Sequence, residues 1–240
     1  MVLPLFLAMN ASELTFSSIH DHCAWMACHF SPFTEGLSNI PDSMPPASML
    51  ILNDRVPCQG HSADLVASQI RDAVSRLECE SVLLDFQRAD NPEAVAVVQA
   101  IHAALPCPVC VSECYAGDLS CPVLLGPSPL HIPLNEYLAP WQGREIWLEA
   151  ALCQGQITVT EYGSKFVWCI PADHLSGGIF DESLCCNYLT RIDENQVRFT
   201  LFDTHESLEK KLNLAHSLGV SRAVGLYQEL VTFRDGKLSA

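Results

Sequence analysis

Basic side chains are scarce in this sequence. Thirteen Lys and Arg stand against 28 Asp and Glu, a formal net charge of −15, so the surface repels phosphate backbones and anionic lipid headgroups rather than gathering them. Neither nucleic acid nor a membrane is expected as a partner. Long apolar runs are missing as well. They last about five to eight residues before a polar or turn residue intervenes, where a bilayer span needs about 20. The opening MVLPLFLAMN is apolar but lacks the positively charged region of a secretory signal; it reads as a first strand, and a cytoplasmic location is the expectation. No GxGxxG, Walker A, GxSxG or HExxH pattern occurs, which argues against nucleotide cofactors, a serine-esterase elbow and a zinc protease. No cofactor is expected. A repeat of fixed period and low-complexity tracts are also lacking.

Cysteine, by contrast, is plentiful, with 12 in 240 residues. A chain of this length with 49% hydrophobic residues stabilises itself by burial, so the thiols read as small hydrophobes rather than as a disulfide framework. Cys107-Pro-Val-Cys110, followed by Cys114, has superficial metal-ligand spacing. In an extended strand, however, Cys107 and Cys110 face opposite sides, and no second CxxC follows. His20 and His22 flank Asp21 and offer two ligands on one face, but no third is identifiable. A metal is not expected at either place.

Eight strand-like runs punctuate the chain: 4–9, 24–30, 48–54, 81–87, 107–113, 121–127, 145–151 and 222–228. Helical patterns lie between several of them. Val66, Ile70, Ala73, Val74 and Leu77 recur at helical spacing behind a Ser62 cap; Asn91-Pro92-Glu93 starts a helix carrying Val95, Val98 and Ile101, which Pro106 stops. Thr204 caps a last helix with Leu208, Leu212 and Ala215, ended by Gly219. Strands alternating with helices predict parallel pairing, and eight of them predict a closed (β/α)8 TIM barrel. A β-hairpin at about 184–203 is inserted before the last helix. One domain over 1–240 is expected, with the Pro- and Ser-rich stretch 31–47 as a surface connection.

In a parallel barrel the chemistry belongs at the C-terminal ends of the strands. The fourth run, SVLLDFQR, ends there with Asp85 and Gln87, which share one face roughly 7 Å apart while Phe86 points toward the helices. An Asp at such a place also serves simply to cap neighbouring backbone. ESVLLDFQ resembles a worn copy of the DxxDxDxE signature of glycoside hydrolase family 18, the chitinase-like TIM barrels. Aligned on its last residue, Glu80 falls at the first Asp, Leu83 at the second, Asp85 at the third and Gln87 at the catalytic Glu; only Asp85 is unchanged. The closing segment is similar to that of bacterial family 18-like domains too. There Phe202-Asp203 precedes a helix start at Ser207, Leu208 and Lys211, and Tyr227 stands where the last strand typically ends in Trp.

The resemblance implies a cleft for an oligosaccharide, one bearing N-acetyl groups, in which the Glu protonates the leaving oxygen and the Asp orients the substrate's own N-acetyl nucleophile. Gln87 holds no transferable proton, so a step worth about 10² to 10⁴-fold is missing at that position. The expectation is a carbohydrate-binding, catalytically degenerate protein. Two alternatives stand beside it: an active hydrolase with a relocated acid, Glu113 or Glu149, and a non-catalytic structural or protein-interaction barrel. Asn53, Asp54 and Asp203 at strand ends are further candidate ligand contacts. Tyr115, Trp141, Trp147 and Tyr227 are candidate stacking surfaces, although the apolar neighbours of Trp25, Trp147 and Trp168 favour core positions.

Overall fold

The computed structural model describes residues 3–16, 22–169, 175 and 177–230. His20 and Asp21 of the HxH stretch lie outside the described residues. Eight parallel strands form the barrel: β1 (Leu5–Met9), β2 (Cys23–Phe30), β4 (Met49–Asn53), β5 (Ser81–Asp85), β6 (Val109–Ser112), β7 (Val123–Leu125), β8 (Ile146–Ala150) and β14 (Val220–Leu226). β1 closes it by pairing in parallel with both β14, Leu5 opposite Ala223, and β2, Leu7 opposite Cys23. A two-residue strand, β3 (Leu37–Ser38), pairs antiparallel with the end of β2. All eight runs anticipated from the sequence are barrel strands.

Alternation along these strands separates two cores. Phe6, Ala8, Met49, Ile51, Leu83, Cys110, Leu124, Trp147 and Val224 point inward and fill the barrel. Leu7, Leu50, Leu52, Val82, Leu84, Val111, Leu125 and Leu148 point outward, into a second core shared with the helices. Each strand is therefore buried on both faces, which is why these segments read as nearly unbroken apolar runs.

The helices follow from local signals. α2 (Ala63–Leu77) begins at Ser62, whose side chain accepts from Leu65 N, and buries the five residues expected of it. α3 (Pro92–Ala104) begins at Asn91, which accepts from Glu93 and Ala94 N; its buried stripe is Ala94, Val97, Val98 and Ile101, so Val95 faces solvent instead. α5 (His205–Ser217) carries a Thr204–Ser207 capping box, and Gly219 leaves it at φ +95°. α1 (Ala11–Phe16) and α4 (Leu134–Leu138) are short. Between β2 and β4, and between β6 and β7, the crossovers contain no α-helix. No helix among the described residues is long and apolar enough to cross a membrane.

The insertion before α5 is larger than a hairpin. The expected pair is present as β12 (Cys186–Asp193) and β13 (Gln196–Phe202). β9 (Gln154–Thr160), β10 (Gly163–Cys169) and β11 (Ile179–Asp181) join it, in the antiparallel order β10-β9-β13-β12-β11. QITVT and SKFVW around Tyr162-Gly163 carry the alternation and turn signal of a second hairpin. Trp168 lies on β10 and is 50% exposed, so it is not a core residue; Trp25 and Trp147 are.

One buried ion pair clasps the chain where it enters and leaves this sheet. Asp203, directly after β13, takes Lys211 Nζ of α5 on both carboxylate oxygens at 2.8 and 2.9 Å, and its Oδ2 also accepts from Cys153 N at 3.3 Å. Cys153 O accepts from Asp203 N at 2.8 Å. With side-chain exposures of 5% for Lys211 and 0% for Asp203, removing one partner strands a buried charge. Lys211→Met is expected to cost about 3–5 kcal/mol in urea unfolding; a loss well below 1 kcal/mol contradicts this account of the clasp.

Candidate functional site

At the C-terminal end of the barrel lies an open cavity of about 540 Å³, within the range of small-ligand sites. Inward-facing apolar residues form its floor: Ala8, Met26, Ile51, Leu83, Leu124 and Val224. Residues at or just beyond the strand ends form its rim, among them Asn53, Asp54, Arg55, Asp85, Gln87, Arg88, Glu149 and Leu226.

Asn53 and Asp85 are register partners at the ends of β4 and β5. The Asn53 amide is already committed: Nδ2 donates to Met26 O at 3.0 Å and Cys28 O at 2.9 Å, across the point where the β2–β4 register shifts. Its Oδ1 accepts from Arg55 N at 3.2 Å. Asp54 is committed as well. Buried at 7% exposure, it accepts from Gln87 N at 3.1 Å and Arg88 N at 2.9 Å, and so fixes the loop that follows β5. These two residues line the cavity with side chains already tied to backbone groups.

Asp85 and Gln87 do share a side. Gln87 Nε2 donates to Asp85 Oδ1 at 2.5 Å, which leaves the Gln87 carbonyl and the second Asp85 oxygen for other partners. The backbone-capping role that an Asp at position 85 could have played belongs to Asp54 instead. Burial raises the Asp85 carboxyl above its usual range; the hydrogen bond from Gln87 opposes this, and the Asp54 charge adds to it. Leu83, one inward position below, supplies part of the apolar surrounding.

Glu149 meets the same cavity from β8. It keeps contact with solvent through the open mouth, yet desolvation by the walls raises its carboxyl above the ordinary value, with the charges of Asp85 and Glu229 adding to the effect. Glu113 does not line the cavity: β6 ends at Ser112, and Glu113 is exposed in the 3-10 turn that follows.

Five further candidates lie elsewhere. Tyr115 is 7% exposed, its hydroxyl donates to Arg88 O, and its ring meets Phe86 edge-on at 5.8 Å. It supports the β5 loop from behind. Tyr227 lies just past the end of β14 and packs against the outer core; the inward positions at this end of β14 are Val224 in the barrel and Leu226 at the cavity. Asp203 is the clasp described above. Trp147 is fully buried inside the barrel and Trp141 packs on the outer core, so neither presents a face to the cavity. Sequence reasoning missed Arg55 and Arg88, although each directly follows a residue singled out at a strand end or the motif's last position.

No protein-family model matches the chain, and no curated protein sequence matches it. Solved structures do. A glycoside hydrolase family 18 N-acetylglucosaminidase from Paenibacillus barengoltzii superposes with a TM-score of 0.58 at 9% identity, covering 93% of this chain and 94% of that one. A chitinase from Chromobacterium violaceum gives 0.56 at 9% identity over 99% of both chains. The Bacillus cereus spore cortex-lytic enzyme SleL gives 0.55 at 11%, covering 93% of this chain and 70% of that one. The likeness is one of fold: this is a TIM barrel of the kind used by chitinase-like enzymes.

The raised Asp85 carboxyl fixes the sign of a pH effect. Because its folded value lies above the unfolded one, the native state holds its proton longer, and stability falls as pH rises through that window. Asp85→Asn removes the ionised form while keeping an acceptor for Gln87. Urea midpoints across an acid-to-neutral series should show the variant more stable near neutrality and the two proteins converging in acid. A variant less stable at every pH contradicts the assignment.

Proposed function

We propose that the cleft binds an N-acetylated oligosaccharide and does not hydrolyse it by the substrate-assisted route. The observation that carries this reading is the Gln87 amide donating to Asp85 at the rim of an open cavity. In a chitinase-like barrel, the position aligned with Gln87 delivers a proton to the leaving oxygen. An amide forms hydrogen bonds but has no proton to give at working pH. What remains suits holding: a carboxylate oxygen on Asp85 for a sugar amide N–H or hydroxyl, a carbonyl on Gln87, and an apolar floor for an acetyl methyl or a pyranose face. The names of the fold neighbours, an N-acetylglucosaminidase and a chitinase, support this ligand class. An open mouth also favours binding over a purely structural barrel, whose mouth would be filled.

A second reading rests on Glu149, a carboxyl in the same cavity held above its ordinary range. A general acid must keep its proton near working pH, and Glu149 is the side chain placed to do so if hydrolysis occurs.

Saturation-transfer NMR with chitotriose separates the readings. Binding without new anomeric signals is expected, and Asp85→Ala should weaken it about tenfold, the effect of losing a charge-assisted hydrogen bond. Slow cleavage should appear on Gln87→Glu. Cleavage by the unaltered protein that disappears on Glu149→Gln would replace the first reading with the second, and no binding at all would sink both.

A further inference from the structure

We infer that the sugar held here carries a carboxylate, which Arg55 and Arg88 grip at one lip of the cleft; this rests on the sugar-binding reading above. Cations are outnumbered in this chain by 28 to 13, and the described ones are mostly committed. Six lie within ion-pair range of Asp or Glu. Arg76 and Arg144 donate to backbone carbonyls. Lys165 lies on β10, away from the cavity. Arg55 and Arg88 differ in place: both line the cavity, and there neither has a carboxylate partner among the described residues.

Their placement follows from the strands. Arg55 comes two residues after the end of β4 and Arg88 three after the end of β5, its parallel neighbour. Arg88 Nη2 donates to Arg55 O at 3.2 Å, which draws its guanidinium across to the Arg55 segment. Asp54, the acid next to Arg55 in sequence, spends its oxygens on the backbone N–H groups of Gln87 and Arg88. Two arginines thus line one cavity, Arg88 with one side-chain hydrogen bond and Arg55 with none among the described residues, and a planar anion suits such donors through bidentate hydrogen bonding.

The remainder of the cavity limits which anion fits. Asp85 and Glu149 line it too, and Asp85 adds to the raised Glu149 carboxyl, so the interior already resists further negative charge. A ligand must offer a single anionic group to the arginine lip and neutral hydroxyl or amide groups to the carboxylates. A sugar acid with an N-acetyl group has that polarity, whereas a neutral oligomer leaves the arginines unmatched.

Calorimetric titration at low salt with three disaccharides tests this: neutral chitobiose, N-acetylglucosamine joined to N-acetylmuramic acid, and N-acetylglucosamine joined to glucuronic acid. At least one acidic sugar should bind about tenfold tighter than chitobiose. The one that wins tells whether the carboxylate sits on a lactyl ether or on the ring's C6. Arg55→Gln, at a side chain with no hydrogen bond of its own among the described residues, should narrow that preference, and Arg88→Gln should narrow it further. Equal affinity for all three sugars, or a preference that survives both substitutions, overturns the carboxylate inference and leaves sugar binding standing. Failure of all three to bind removes both.

Discussion

Closure of the barrel leaves its strands no solvent face, and that constraint organises the molecule. Once β1 pairs with both β14 and β2, each inward side chain meets other inward side chains and each outward one meets a crossover. Polar groups are then costly along the strands unless hydrogen-bonded. They collect at the ends, where water or a ligand can reach them. The site is thus a consequence of what the middle of the barrel excludes. Ile51 and Leu83 are inward register partners, and the next pair on the same faces is Asn53 and Asp85.

The opposite end obeys the same rule with a different solution. Arg222 enters from the start of β14, where its guanidinium lies 4.9 Å from the Trp147 ring and 5.5 Å from Phe6. Glu80 Oε1 accepts from it at 2.5 Å and Ser81 Oγ at 3.2 Å. Trp147 Nε1 in turn donates to Glu145 at 3.0 Å, which also accepts from Ser221. This end is closed by charge pairing and cation–π contact. Glu80, the residue aligned with the first acid of the signature, therefore serves the floor of the barrel and stands a strand's length from the cleft.

Most of the frame was legible because it rests on local rules: apolar runs, caps at Ser62, Asn91 and Thr204, and side-chain parity from Leu83 to Asp85 to Gln87. What was not legible depends on where an element stops or on contacts distant in sequence. Tyr115 reads as a strand-end aromatic only if β6 continues past Ser112, and the chain turns instead. Tyr227 matches a family Trp by position in sequence, whereas β14 ends one residue earlier and Leu226 lines the cavity. Asp203 finds Lys211 eight residues away on α5 and Cys153 fifty residues back. Arg55 and Arg88 belong to one lip only because β4 and β5 are neighbours, a relation that no single stretch of sequence displays.

The charge of the whole chain and the charge of the cleft act at different ranges. A net charge of −15 slows the approach of any anion, and salt relieves that repulsion because fields from distant surface carboxylates fade within about 10 Å at 0.1 M. Pairing at Arg55 and Arg88 acts at contact, where salt weakens an exposed ion pair. Added salt should then raise the association rate of an acidic ligand while raising its dissociation rate too. A neutral ligand couples to neither field. The sign of each rate's salt dependence therefore separates an anion drawn to a built pair of arginines from one tolerated in a cleft that binds sugar by hydroxyl and amide contacts alone.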